Sequence, residues 1–252
     1  MQLALLAAPT PKAEAAAAAL AARYPFVAPE RAEVIVLLGG DGFVLQNLRG
    51  PFGATHRFYG MNRGTVGFLL NRYRLQGLEK RIANAKTAVL HPLLVEVDGV
   101  DGRRHSAFAI NEVALLRRGS QAARLKISVD GVVRLPELVA DGVLVATPAG
   151  STAYNLSAHG PILPLGSPLL ALTPICPFRP RRWRGALLPD SATIEVVVQD
   201  DAHRPVGVDA DTQELGLARR LTIRLQQDRQ FHLLFDNDHH LDERIIQEQF
   251  LA

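Results

Sequence analysis

Five consecutive apolar residues, Val34-Ile35-Val36-Leu37-Leu38, run into Gly39-Gly40-Asp41-Gly42. So short and uniform a run reads as a strand buried on both faces. Helix-compatible spacing resumes over residues 43–48, so a strand hands over to a helix across a glycine turn. That junction sets backbone N–H groups beside the Asp41 carboxylate, a place to hold phosphate and move a proton. An ordinary tight turn, or Asp41 capping the following helix, uses the same residues. The alternation of elements continues on either side. Residues 2–8 predict a first strand. Thr10 and Pro11 then supply an N-cap and a first helical residue for an alanine-rich helix over 12–23. Residues 57–61 predict a third strand, followed by Asn62-Arg63-Gly64-Thr65-Val66-Gly67-Phe68-Leu69 and a helix over 75–85. Strand and helix in alternation predict a parallel α/β layer, with ligands at the carboxyl ends of its strands. Both glycine-rich loops fall there.

The pattern changes near Val89. Strands at hairpin spacing are expected over 93–97, 105–110, 113–117, 125–129 and 142–147. After a middle rich in glycine and proline, four more are expected over 193–198, 205–208, 221–225 and 231–235. The expected organisation is an α/β nucleotide-binding-like domain over 1–88, a mostly antiparallel β domain over 89–235, and a helix-compatible tail over 236–252.

Composition narrows this little. The 252 residues are 48% hydrophobic and 21% charged, ordinary for a globular chain. A net charge of +3 is too small to argue for nucleic acid. The lone Cys176 excludes an intramolecular disulfide and a multi-cysteine zinc cage, and fits a reducing compartment. No apolar run approaches membrane-spanning length, so a cytoplasmic location is expected.

Two nucleotide signatures are absent. There is no G-x-x-x-x-G-K-[ST], and the G-x-G of Gly40 and Gly42 lacks its third glycine, with Leu45 in that place. Phosphate would therefore be held by backbone amides and a metal, without a loop lysine. Asp41, flanked by glycines after a buried strand, is the candidate catalytic base. Asn111-Glu112 pairs an amide with a carboxylate at a strand edge, which suits a sugar diol or an adenine edge, or a plain surface turn. From Asp141 to Ser157 a buried strand enters a Pro/Gly turn and a hydroxyl-rich helix start, with Ser151 and Thr152 as expected N-caps and Tyr154 as a stacking face. Phe178-Arg179-Pro180-Arg181-Arg182-Trp183-Arg184 reads as a subunit contact or an acidic-ligand site, and Asp238-His239-His240 as a polar tail.

These motifs, in this order, resemble those of the NAD kinases: the turn Gly39-Gly40-Asp41-Gly42, the Asn62-x-Gly64-x-x-Gly67-Phe68-Leu69 loop, Asn111-Glu112, and the Asp141-Gly142 stretch through Ser157. The resemblance covers most of the chain, and residues 147–157 are its most specific part. It implies transfer of a phosphoryl group from ATP, or polyphosphate, to the 2′-hydroxyl of the adenosine ribose of NAD, with a divalent ion (Mg2+ or Mn2+) carried on the donor phosphates. It also implies a C-terminal tail returning to the first domain, and a homodimer or homotetramer, with residues 179–184 as the candidate contact. By motif, Asp41 becomes the base, Gly39, Gly40, Gly42 and Gly64 the phosphate-donor loop, and Gly42 and Phe68 further contacts to NAD. Asn111 and Glu112 would hold adenosine and ribose groups and Asp141 the other end of the dinucleotide. Ala149, Thr152, Ala153, Tyr154, Asn155 and Ser157 would line the site, and Gln213 would add a later contact. The chain departs from the family at Phe43, where Thr or Ser is usual, at His159, where glycine is common, and at Val139-Ala140, where a basic or polar residue is frequent. A lipid kinase sharing the glycine turn, or a non-catalytic NAD-binding regulator, are the alternatives.

Overall fold

The computed structural model describes residues 1–65 and 67–237. The chain divides into two compact units, Met1–Leu90 together with the stretch beginning at Arg229, and His91–Asp228. In chain order the first unit contributes β1 (Leu3–Ala7), α1 (Pro11–Ala21), β2 (Val34–Gly39), α2 (Asp41–Arg49), β3 (Arg57–Asn62), α3 (Leu78–Ala83) and β4 (Lys86–Leu90). The second contributes β5 (Leu93–Gly99), β6 (Arg104–Ala109), β7 (Glu112–Arg117), β8 (Ala123–Val129), β9 (Val132–Ala140) and β10 (Gly142–Ala146). It continues with the single turn α4 (Tyr154–Ser157), β11 (Leu169–Ile175), β12 (Ala186–Pro189), β13 (Ile194–Val198), β14 (Val206–Ala210) and β15 (Gln213–Leu225). The chain then re-enters the first unit as β16 (Phe231–Phe235).

The first unit is a five-stranded sheet in the order β1-β2-β3-β16-β4. Every residue of β2 is buried, as its unbroken apolar run requires of a central parallel strand. Thr10 caps α1 as expected, its hydroxyl accepting the Ala13 N–H at 3.3 Å, and Pro11 opens the helix. Ala13, Ala16 and Leu20, spaced on one face, bury against the sheet with Val34, Val36 and Leu38.

The second unit is an eleven-stranded antiparallel sheet, ordered β12-β11-β10-β7-β14-β15-β13-β8-β9, with β5 pairing β15 and β6. The thirteen-residue β15 joins its halves, pairing β14 at one end and β5 and β13 at the other. The period-2 rule divides the strands between two cores. Val113, Leu115, Val143 and Val145 enter the main cluster, while Ala114, Leu144 and Ala146 pack on the opposite face with Leu163, Ala171 and Ile175.

Two expectations about organisation change. Residues 231–235 form the expected strand, but β16 lies in the first unit's sheet, parallel to β3 (His232 beside Arg57) and antiparallel to β4. Local alternation cannot tell which sheet a strand joins when its partner is over 170 residues away. The proline-containing segments 132–140 and 169–175, and the short 186–189, are also strands. The expected tail helix and the Asp238-His239-His240 segment lie outside the described residues. Among the described residues no helix is long and apolar enough to cross a membrane.

Candidate functional site

In the first unit the glycine turn is shorter than the sequence suggests. Gly40 occupies the N-cap position of α2 with extended backbone and no side-chain cap, and Asp41 is the first helical residue. Asp41 therefore does not cap its own helix. Its carboxylate faces the second glycine loop, Oδ2 accepting the Phe68 N–H at 2.8 Å and Oδ1 the Leu69 N–H at 3.0 Å. A carboxylate in a helix's first turn is also favoured by the helix dipole. The two loops lie closely against each other: a Cβ on Gly64 would stand 3.2 Å from the Gly40 Cα, a tight contact. The Gly64 N–H binds the Gly39 carbonyl and the Asn62 Oδ1. Above Gly40 and Gly42, by contrast, a Cβ would meet nothing within 4 Å. These two glycines leave room at the helix start that the protein's own packing does not use. Phe43 lies on Gly39, its Cβ and ring Cδ1 each 2.9 Å from where a Cβ there would sit.

In the second unit the turn Ile110-Asn111-Glu112 joins β6 to β7, and all its backbone groups are accounted for. The Asp211 carboxylate accepts the N–H groups of Ile110 (2.8 Å), Asn111 (2.8 Å) and Glu112 (3.1 Å), and the Asp211 N–H returns a bond to the Glu112 carbonyl at 3.0 Å. Thr147 binds the other two carbonyls, its hydroxyl donating to Ile110 O at 2.6 Å and its N–H to Asn111 O at 2.9 Å. Gly150 lies so close that a Cβ would be 2.2 Å from the Asn111 carbonyl oxygen. With the backbone satisfied, two side-chain acceptors are left over. Asn111 Oδ1 and Glu112 Oε2 are buried and find no partner in the protein. Such atoms are uncommon in native structures and call for a reason. Burial, and then the nearby Asp211 charge, push the Glu112 acid up to about 8.

The stretch after β10 departs from its expected form. Ser151 and Thr152 are not N-caps, because α4 is a single turn preceded by Ala153 and has no side-chain cap. Ser151 is fully buried instead, its hydroxyl bound to Pro148 O at 2.7 Å and accepting the Leu163 N–H at 3.0 Å. Asn155 is also turned inward. It is fully buried, Nδ2 donating to the carbonyls of Ser151 (3.2 Å) and Pro161 (2.9 Å) and Oδ1 accepting from the Thr173 hydroxyl at 2.7 Å. Its side-chain polar groups hold the loop. Ala149 is buried, Thr152, Ala153 and Tyr154 are half-buried, and Ser157 is exposed.

Tyr154 rests against the Ala114, Leu144 and Ala146 cluster. Burial, then Cys176, Glu112 and Asp141, raise its hydroxyl's pKa, so Tyr154 shares an electrostatic neighbourhood with both candidate carboxylates. Asp141 is paired with Arg117 at 2.5 Å, both side chains partly exposed. Gln213 is exposed at the start of β15, in a cleft of about 730 Å³ lined also by Asp101, Arg104, His105 and Ser106. The structure thus groups Asn111, Glu112, Asp141 and Tyr154, and groups Asp41 with Phe68 and the glycine loops in the other unit. Sequence reasoning noted the Asp211-Thr212-Gln213 segment only for its glutamine and Thr147 only as part of the 147–157 stretch, and gave Arg117 no role. Asp211 had one legible sign, an aspartate at the two-residue turn between β14 and β15, where its φ is 51°.

Comparison with known proteins completes the description. A profile of the ATP-NAD kinase C-terminal domain matches residues 110–234. The NAD kinase of Rhizobium meliloti (strain 1021) is 52% identical over 248 residues, 98% of this chain and 96% of that protein. That of Cereibacter sphaeroides (strain ATCC 17025 / ATH 2.4.3) is 53% identical over 250 residues, covering 99% and 98%. Yeast NADH kinase, solved with NADH, superposes with a TM-score of 0.83 at 23% identity, covering 99% of this chain and 87% of that one. An Archaeoglobus fulgidus NAD kinase, solved with ATP, gives 0.76 at 24% identity and 98% of both chains. At that identity the two structures speak for the fold.

Proposed function

The chain belongs to the NAD kinase family, and from that premise we propose that it transfers the terminal phosphoryl group of ATP to the 2′-hydroxyl of the adenosine ribose of NAD, giving NADP and ADP. The observation that carries the dinucleotide assignment is the pair of buried, unpartnered acceptors, Asn111 Oδ1 and Glu112 Oε2. A ribose hydroxyl and the adenine amino group are donors of the kind these oxygens lack. Asp141 serves the other end of the dinucleotide and Tyr154 offers a face beside it. Ala149, Thr152, Ala153 and Ser157 line the site, with Phe68 and Gln213 as further contacts.

Asp41 is the base in this reading. As the ribose oxygen bonds to the γ-phosphorus, the bond to the departing ADP oxygen breaks and the hydroxyl proton passes to the Asp41 carboxylate. The hydrogen bonds from Phe68 and Leu69 fix the position of that carboxylate. Phosphate is received at the loop of Gly39, Gly40, Gly42 and Gly64: the first turn of α2 offers backbone N–H groups there, and Gly40 and Gly42 leave unfilled space. Among the described residues no three His, Cys, Asp or Glu side chains cluster as a metal cage. In this reading a divalent ion, Mg2+ or Mn2+, would arrive on the donor's phosphates and offset their charge.

The functional assembly in this reading is a homodimer or homotetramer. Phe178 is 49% exposed, with the guanidinium groups of Arg179 and Arg181 about 5 Å from its ring, a composition common at subunit contacts. The test of function is direct: purified protein with NAD, ATP and magnesium ions is assayed for NADP, with polyphosphate replacing ATP in a parallel arm. NADP formation supports the reading. NAD binding without product under either donor marks a non-catalytic binder, and phosphorylation of a diacylglycerol or sphingoid base in place of NAD overturns the assignment.

A further inference from the structure

We propose that Asp211 is a positioning residue for dinucleotide binding, an internal anion that sets the Asn111-Glu112 turn so that its two unpartnered oxygens face the ligand. The inference rests on the NAD kinase reading above and gives a role to Asp211, two residues before Gln213. Three successive backbone N–H groups converging on one point form a concave nest that ordinarily attracts an anion. Here the nest of Ile110, Asn111 and Glu112 is filled by the chain's own carboxylate, at 2.8, 2.8 and 3.1 Å. The bond from Asp211 N–H to the Glu112 carbonyl adds a fourth link between the same two segments. With Thr147 holding the Ile110 and Asn111 carbonyls, no backbone group of the turn is left to drift. The direction of the Asn111 and Glu112 side chains is therefore set by Asp211 on one side and Thr147 on the other.

The backbone carries a second sign. Asp211 stands at φ 51°, in the left-handed region, within a two-residue connection where Ala210 pairs with Gln213. Glycine and asparagine suit that conformation at least as well as aspartate. A residue chosen only for the turn would be freely replaced by either, whereas one chosen for its carboxylate would not. Neither substitute carries two anionic oxygens for three N–H donors.

Asp211→Gly and Asp211→Asn in the full chain separate the two roles. Thermal melting first establishes that each variant folds, and two variants compatible with the turn guard against the loss of one. Calorimetric titration with NAD needs no turnover. The expected result is weaker NAD binding, by about tenfold or more in Asp211→Gly and less in Asp211→Asn, because small displacements of positioning groups are costly. In steady state the KM for NAD rises in the same order, while the KM for ATP and kcat at saturating NAD stay within about twofold, the mark of lost uniform binding. NAD affinity within twofold of the parent in both variants overturns the proposal and leaves Asp211 a turn residue. So does an equal loss toward ATP and NAD, which reports general disorder. A parent chain that binds no NAD overturns the functional reading instead.

Discussion

Glu112 holds a proton that its environment makes hard to lose. Its acid is pushed from an ordinary 4.5 up to about 8, first by burial and then by Asp211. In the unfolded chain Glu112 ionises above about 4.5, while the folded protein keeps it neutral until about 8. The folded state thus binds more protons across that window, and its stability falls as pH rises through it. Glu112→Gln keeps a neutral side chain of the same shape and lacks this slope. Its melting temperature relative to the parent is expected to climb between pH 5 and pH 8, by an amount worth a few kcal/mol at most. A constant difference across that range would contradict the assigned protonation. His159 is the other residue with a local cost. It is exposed at φ 61°, closing α4, a conformation that glycine adopts without strain. His159→Gly should stabilise the protein by about 1 kcal/mol in urea denaturation; a loss would show that the imidazole itself contributes. Phe43, a departure from the family's pattern, lies on Gly39. The sequence could flag its presence but not its direction.

Among the elements, the loop from Pro148 to Gly160 is held by Asn155 more than by its one helical turn. Asn155→Ala would strand the carbonyls of Ser151 and Pro161 and the Thr173 hydroxyl, a loss of about 2 kcal/mol or more visible in the melting midpoint. A cost near zero would mean the loop has another anchor. In the first unit, the end of β16 is tied to β3 and α3 through Asp236. Its carboxylate accepts from the Tyr59 hydroxyl at 2.6 Å and pairs with Arg81 at 2.5 Å, with both charged side chains largely buried. Asp236→Asn leaves the Arg81 charge uncompensated, and a loss of about 3–5 kcal/mol is expected in chemical denaturation. A variant as stable as the parent would show the pair to be dispensable. The sequence revealed β16 as a strand, since Phe231, Leu233, Leu234 and Phe235 are apolar. It could not reveal Asp236, whose meaning arises from partners 155 and 177 positions away. The same holds for Asn155, where a side chain expected at the ligand turned inward because the loop's carbonyls needed donors.

For the whole molecule, what was legible followed from local chemistry. Uniform apolar runs announced β2 and β10, the Thr10-Pro11 pair announced α1, and the change from helical spacing to hairpin spacing near Val89 announced a second unit. What was not legible depended on contacts between distant segments: the sheet that β16 joins, and the carboxylate that fills the nest at Asn111. The proposed homo-oligomer belongs to this scale too. Replacing Arg179, Arg181, Arg182 and Arg184 with serine should reduce the mass measured by light scattering, and an unchanged mass would remove that segment as the contact. The central claim, phosphoryl transfer to NAD with Asp41 as the base, is tested most directly by Asp41→Asn. With saturating NAD, ATP and magnesium ions, NADP formation is expected to fall by about a hundredfold or more, while calorimetry shows NAD binding largely kept. A variant that turns over at the parent's rate would contradict it.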